Sequence, residues 1–544
     1  MSGRTVARGV AGAAALIAAL TLLARLAGFG RTLVFTNTVG ADSTGDTYLA
    51  ANTVPNIVFE VVAGGALASL VVPMLAGGIA TGDREQVRRT ASALLGWMLL
   101  ILTPLAIAIA LAAEPIAELL LGGGSSAEGA LAARFLVVFA PQVVLYGIGI
   151  VLTGVLQAHR RFAGPALAPL LSSLVVAAAY LVFAGIGGSG DIDDLSTPAE
   201  LVLSVGTTLG VVALSLSLLV PVRRLRLGLR PTLRFPVGAA PRVRRLAVAG
   251  VLTLAGQQAV AAVAIRLAND GPDGTQVVYF AGLTLFLVPW AALAVPLATS
   301  AYPGLAERAE VGDEAGYRRS LAPAVVLTVA ASAVAAGVLV AVSGPMARVF
   351  LVSAPAATVA ALRDTIIAFA PGLVGYALVA LLTRALYARG LWKAPTVCVV
   401  GGWLLAVVAD VVLARLLPPE DRGLALGAGH SIGVTVAGLG LLVLVARVAG
   451  PGALHGVVRS GAAALAGSAL GAVAGLLGAR ALGADPVPHA GAPVAVGVGL
   501  VAAAIVLGIA GAVMMGTARA PLTGAVHALR TSDDQRAGTT GGAR

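Results

Sequence analysis

Arg25 and Arg31 stand where an apolar chain can least accommodate charge, inside its first long hydrophobic run and around Gly28 and Gly30. A guanidinium near the centre of a bilayer costs at least about 2.5–3.5 kcal/mol on insertion scales, so such groups face a protein interior or a wet cavity. Their fork of N–H donors suits a phosphate or a carboxylate. The next apolar run adds Asp46, Thr53 and Glu60 at seven-residue intervals, with Asn52 and Asn56 close by and Pro55 between them. That spacing puts a polar stripe on one helix face. Two readings are open: the arginines pair with Asp46 or Glu60 as a neutral lock, or they hold an anion in a cavity that the carboxylates tune. A lone acid, Asp410, lies within a late apolar run. A buried carboxylate needs a proton, a cation or a partner. A pair with Arg415, a hydrogen-bonded neutral acid, and a Na⁺ or proton site with oxygens from Gln257 and Gln258 all satisfy that need.

The elements that carry these residues belong in a bilayer. Hydrophobic residues make up 58% of the 544 and charged ones 11%, with a mean hydropathy of +0.96, which excludes a soluble domain of this length. The net charge of +11 comes from arginines between apolar runs, the pattern of membrane orientation rather than of nucleic-acid binding. Cys398 is the only cysteine, so neither a disulfide framework nor a zinc cluster is expected. No nucleotide-binding loop, metal motif or nucleophile–base set is present, which argues against an enzyme.

Fourteen apolar windows are long enough to span: 10–38, 48–79, 90–113, 131–156, 163–186, 198–221, 246–267, 276–302, 321–342, 359–388, 394–417, 423–446, 457–483 and 493–516. The first has no small-residue cleavage site after it and reads as a retained helix rather than a signal peptide. The second half of the chain also repeats the first at one constant offset. Pro73-Met-Leu-Ala76 answers Pro303-Gly-Leu-Ala306, Gly82-Asp83 answers Gly312-Asp313, and Arg88-Arg89 answers Arg318-Arg319. Pro115 and Pro345, Phe139-Ala-Pro141 and Phe369-Ala-Pro371, Tyr146 and Tyr376, and Pro165 and Pro395 keep the same register. An even number of crossings per repeat makes the two units parallel. The expectation is an all-α polytopic membrane protein: an N-lobe over 1–235, a C-lobe over 236–450, a last helix pair over 451–520 and a disordered tail over 521–544. Eight arginines and no acid lie between 223 and 245, whereas Asp191, Asp193, Asp194 and Glu200 lie before and at the start of the sixth window without a base. The positive-inside rule then puts the arginine loop and both termini in the cytoplasm. Anionic lipid or nucleic acid is the loop's other reading.

Arg25-Leu-Ala-Gly-Phe-Gly-Arg31, Val39-Gly-Ala-Asp-Ser-Thr-Gly-Asp46, Val54-Pro-Asn56 and Gly65-Ala-Leu-Ala-Ser69 with Val72-Pro73 form an ordered set. Leu156-Gln-Ala-His-Arg-Arg-Phe162 with Pro165, and Leu386-Tyr-Ala-Arg389 with Ala394-Pro395, extend it into both halves. The set resembles the MurJ/MviN family, lipid II flippases of the multidrug/oligosaccharidyl-lipid/polysaccharide exporter superfamily. The resemblance implies two six-helix lobes in a V, a last helix pair shaping a lipid groove, and no enzymatic step. It implies alternating access that moves lipid II from the inner to the outer leaflet of a bacterial cytoplasmic membrane for cell-wall synthesis. Arg25, Arg31 and Asp46 then become cavity residues for the pyrophosphate and sugar-peptide head group, with Asn52, Asn56 and Glu60 beside them. Partners would be the lipid-linked glycan, membrane lipids and the cell-wall machinery. No cofactor is expected beyond Na⁺ or H⁺ coupling at Asp410 and Gln257 and the membrane potential. The chain departs from the family pattern at Val58-Phe59-Glu60, where many members carry an arginine pair and a glutamate, and at Gly282-Leu283, where a cavity arginine is usual. Another polyprenyl-linked glycan, drug/cation antiport within the superfamily, and a non-transporting scaffold are the alternatives.

Overall fold

The computed structural model describes residues 3–60, 71–122, 126–188, 192–234, 257–391, 393–454, 456–483 and 491–518. Among them every long element is a helix and no strand occurs. Hydrocarbon cannot hydrogen-bond a backbone, so a spanning segment must bond within itself. The chain divides into two compact units, Met1–Asn269 and Asp270–Arg544.

In the first unit α1 (Gly3–Thr38) runs unbroken through Gly28 and Gly30, so both arginines share one helix. There follow α2 (Ser43–Glu60), α3 (Val71–Ala80), α4 (Arg84–Leu111), α5 (Ala113–Leu121), α6 (Ser126–Ala158), α7 (Ala163–Gly185), α8 (Thr197–Leu216), the short α9 (Leu219–Arg223) and α10 (257–268). The second unit holds α11 (Thr275–Pro289), joined through a π turn at Trp290–Ala294 to α12 (Val295–Glu310), then α13 (Glu314–Ala341), α14 (Ser343–Phe350), α15 (Ala356–Phe369) and α16 (Gly372–Ala388). It ends with α17 (Lys393–Leu416), α18 (Arg422–Ala449), α19 (Val457–Ala481) and α20 (Ala492–Thr517). Eleven spans among the described residues are long and apolar enough to cross a membrane, and the bent pair α15–α16 makes a twelfth. The expected crossings at 48–79 and 246–267 run partly through residues outside the described ones.

The sequence repeat is a structural repeat. Helices α4 and α13 begin and end at matching positions of its register. Asp83 and Asp313 cap these two helices alike, accepting from the backbone N–H of Gln86 and of Gly316. Gly82 and Gly312 precede them at the same φ of 72°, a left-handed turn that glycine adopts without a Cβ clash. Helix α6 runs unbroken through Pro141, whereas α15 and α16 meet at Ala370–Pro371 with a 43° bend.

Proline removes one backbone donor and frees carbonyls a turn earlier, so each unit must satisfy them from elsewhere. In the second unit the Ser431 hydroxyl of α18 lies 2.7 Å from the Ala368 carbonyl and 2.9 Å from that of Phe369. It accepts from the Gly372 N–H at 3.2 Å. In the first unit Thr208 of α8 donates to the Val138 carbonyl at 3.0 Å and accepts from Gln142 Nε2 at 2.9 Å. Val138 and Gln142 are the repeat counterparts of Ala368 and Gly372, so one hydroxyl serves each proline site. Ser431→Ala strands the carbonyls and the N–H of the bend and should cost about 1–3 kcal/mol, read as a lowered unfolding midpoint in detergent, while Ser431→Thr retains most of the stability. A midpoint unmoved by Ser431→Ala would refute this account of the bend.

Candidate functional site

The polar centre of the first unit is built around Tyr48. Its hydroxyl lies 2.8 Å from that of Tyr180 on α7 and 2.7 Å from that of Thr207 on α8. Thr207 passes its proton to the Leu203 carbonyl at 2.7 Å, so it accepts from Tyr48. All three side chains are buried. Phe35 of α1 packs on both tyrosines at ring separations of 5.4 and 5.2 Å, and Phe135 and Phe139 of α6 close the cluster against Tyr48. Four residues before Phe35 on the same face of α1 comes Arg31. It is half-buried, and its charge acts on the hydroxyls of Tyr48, Tyr146 and Tyr180. Tyr146 donates to Asn56 Oδ1 at 2.9 Å, packs at a tilt on Phe59 with ring centroids 4.5 Å apart and also feels the charge of Glu60.

Tyr146 of α6 is thereby bonded to Asn56 and lies within electrostatic reach of Arg31 and Glu60. Arg25, two turns earlier on α1, is exposed; Asp46 and Thr53 are buried, Asn52 is half-buried and Glu60 is exposed. Thr53 is bonded back to the Leu49 carbonyl at 2.8 Å, an internal satisfaction that removes it from the polar stripe. The neutral lock of Arg25 or Arg31 with Glu60 does not form: among the described residues none of the three makes an ion pair. Beside Tyr146 opens a cavity of about 280 Å³ lined by Phe59, Thr153, Gln157, Pro169 and Ser215. It lies below the ~300–1,000 Å³ typical of drug-sized ligand sites, so it does not by itself hold a glycan head group.

The second unit carries a different centre at corresponding positions. Asp410 on α17 is the repeat counterpart of Tyr180 on α7. Gly210 packs on Val176 and Gly433 packs on Ala406, so α8 and α18 correspond in a register of their own, and Thr207 falls on His430. Asp410 is 1% exposed and its Oδ1 has no hydrogen-bond partner among the described residues. Gly429 lets α18 close on it, since a Cβ there would collide with that oxygen. The expected pair with Arg415 is absent: Arg415 is exposed and no ion pair joins the two among the described residues. Each step along a helix turns the chain by about 100°, which carries Arg415 away from Asp410 and toward the outer face. Gln257 on α10 is half-buried and lies in the first unit.

His430 is a residue that pattern reasoning missed. It is buried, ringed by Phe286, Phe369 and Trp403 at 5.4, 5.3 and 5.5 Å, and its Nε2 has no partner among the described residues. A lone histidine inside an apolar window was the available signal. At Gly282, where the sequence departs from the expected arginine, a Cβ would come within 2.8 Å of Thr365, so α11 and α15 pack closely there. Among the described residues no three His, Cys, Asp or Glu side chains gather as a metal cluster.

Comparisons with known proteins agree in kind. A family model described as "Lipid II flippase MurJ" matches residues 35–483. A lipid II flippase MurJ of Burkholderia cenocepacia is 24% identical over 443 residues, covering 78% of this chain and 82% of that protein. A probable lipid II flippase MurJ of Vibrio cholerae is 32% identical over 102 residues, 18% of this chain and 19% of that one. Among solved structures, a lipid II flippase MurJ in an inward closed conformation superposes with a TM-score of 0.71 at 18% identity, covering 91% of this chain and 98% of that one. An inward-facing multidrug resistance MATE family transporter superposes at 0.65 and 14% identity, covering 80% and 98%.

The tyrosine hub is testable without an activity assay. Tyr48→Phe and Tyr180→Phe should each destabilise the protein, and the double variant should cost less than their sum by about 0.5–3 kcal/mol, the coupling expected of residues in one hydrogen-bond network. Strict additivity of the two unfolding shifts would mean that the hydroxyls act separately.

Proposed function

The chain belongs to the lipid II flippase MurJ family, and on that premise we propose that it carries lipid II between the leaflets of the bacterial cytoplasmic membrane by alternating access. The observation that carries this reading is Arg31, half-buried on α1 beside the tyrosine hub and ion-paired to no acid among the described residues. An arginine kept at bilayer depth without a counter-charge is an anion site. Its planar fork matches the oxygens of a pyrophosphate.

The task sets the physics. A glycan head group must pass roughly 30 Å of hydrocarbon, and each unsatisfied polar group would cost several kcal/mol on the way. A shielded polar route is therefore required, while the polyprenyl tail stays in lipid. In the proposed division of labour Arg25 and Arg31 take the pyrophosphate. Asp46, Asn52, Asn56 and Glu60 meet the sugar-peptide. An inside-negative potential assists, because exporting a net −2 group gains about 4.6 kcal/mol per 100 mV at ~2.3 per charge. This direction assumes cytoplasmic termini, which the arginine-rich segment after α9 supports. Supply and use of such a substrate make the cell-wall machinery the natural partner.

Coupling is proposed at Asp410. Its orphaned Oδ1 fits a proton or a hard monovalent cation. Gln257 is the neutral candidate on α10. A cation antiporter would place its whole reliance here and none on Arg31.

The two roles separate in a strain depleted of its own flippase and complemented with this chain. Lipid II accessibility at the outer surface should fall at least tenfold for Arg31→Ala at normal expression, with partial rescue by Arg31→Lys. Asp410→Asn should retain head-group binding but lose dependence on the Na⁺ or proton gradient. Full rescue by Arg31→Ala would remove the anion site from the mechanism.

A further inference from the structure

Residues 225–234, the described part of the arginine-rich segment after α9, are strapped along α4. Arg84 donates to the Leu225 carbonyl at 2.8 Å. The Arg230 N–H donates to Ser92 Oγ and the Thr232 N–H to the Ser92 carbonyl, both at 3.1 Å. Further along, Trp97 Nε1–H donates to the Leu233 carbonyl at 3.0 Å. Gly96 makes the approach possible, because a Cβ there would collide with the Thr232 carbonyl oxygen. Between strap and helix runs an apolar groove of about 420 Å³, lined by Leu99, Leu100, Thr103, Pro104, Pro231 and Leu233.

A topology signal needs only arginines in water, and does not need such fastening. This strap carries its charge along α4, away from the start of the helix. Arg88 and Arg89 share Glu85 at the start of α4, and Trp97 lies eight residues further, roughly 12 Å along the helix at 1.5 Å per residue. Arg230 is held at the level of Ser92 and Arg234 follows Leu233, which is held at Trp97; both arginines are exposed and free of ion pairs among the described residues. No aspartate or glutamate occurs anywhere between 201 and 269. The neighbouring surface of α4 is greasy, with Leu100 and Ile101 exposed. Two guanidiniums beside hydrocarbon with no protein counter-charge call for an anion that brings its own acyl chain.

We propose that α4 and the 225–234 strap form a binding site for an anionic phospholipid, its phosphate on Arg230 and Arg234 and one acyl chain in the groove. The site is separate from Arg31 and from the proposed translocation. Charge selects the class: a zwitterionic head group would bring an ammonium against the same arginines.

Trp97 reports on the groove. The full chain with Trp290, Trp392 and Trp403 changed to Phe is reconstituted in phosphatidylcholine vesicles with a small fraction of lipid brominated on its acyl chains. Brominated phosphatidylglycerol should quench Trp97 fluorescence at least threefold more than brominated phosphatidylcholine at equal fraction. Arg230→Gln with Arg234→Gln should bring the two to parity while the Trp97 emission maximum stays in place. If that maximum shifts, Arg230→Lys with Arg234→Lys decides: a retained preference supports the site, and parity overturns it. Equal quenching by both lipids in the parent, a preference surviving the glutamine pair, or displacement of the lipid by millimolar inorganic phosphate would each overturn the proposal.

Discussion

A bilayer core offers no water, so every polar atom carried into it must find its partner on the protein. Helical backbones meet that demand along their length, and trouble collects where they break, cap or carry a polar side chain. Asp83 and Asp313 satisfy the first N–H groups of α4 and α13. Thr32 and Thr53 fold back on the Gly28 and Leu49 carbonyls. The proline sites are answered by one hydroxyl from the neighbouring helix, Thr208 or Ser431. Among the described residues some side chains are left outside these closed arrangements, Asp410 and His430 among them.

The units solve one packing problem with unlike polar groups. Where the first joins Tyr48, Tyr180 and Thr207 through neutral hydroxyls, the second sets Asp410 and His430 at the positions of Tyr180 and Thr207, with Val278 in place of Tyr48. Hydroxyls donate and accept, so three can close on one another without a net charge. A carboxylate only accepts, and its Oδ1 here is unpartnered among the described residues. Duplication thus preserved the helices, while substitution gave one unit an arginine near hydroxyls and the other a buried acid and a buried imidazole. An anion and a cation can be handled in separate places by such a pair.

Much of this architecture could be read from the chain because duplication protects backbone-defining residues. Prolines, the Gly-Asp turn and the arginine pair kept one register, and the helices follow it. The polar stripe on α2 was legible only in part, since Thr53 turned inward to its own backbone and Asp46 is buried while Glu60 is exposed. Contacts across long separations were not legible. Tyr48 and Thr207 are 159 residues apart, and no local pattern announces that a tyrosine in one apolar window will meet a threonine in another. Arg415 follows Asp410 closely in sequence but occupies another face of α17. The arginine loop was visible as charge; its fastening to Ser92 and Trp97, made possible by Gly96, was not.

Two-state transport asks which interactions must change and which must survive. The tyrosine hub and the hydroxyl-braced prolines are closed circuits, and opening them would expose polar atoms at about 1–3 kcal/mol each. Motions that keep each unit intact avoid that cost. Among the described residues, the Arg31 guanidinium in one unit and the Asp410 carboxyl in the other are charged groups that no ion pair holds. A ligand shifts a conformational equilibrium only through differential affinity for its states, and a group already locked to a neighbour has little differential affinity to give. In the proposed mechanism the unpaired charges are where substrate and coupling ion would act on the conformational balance, and the hydrogen-bonded hubs are what they would act against.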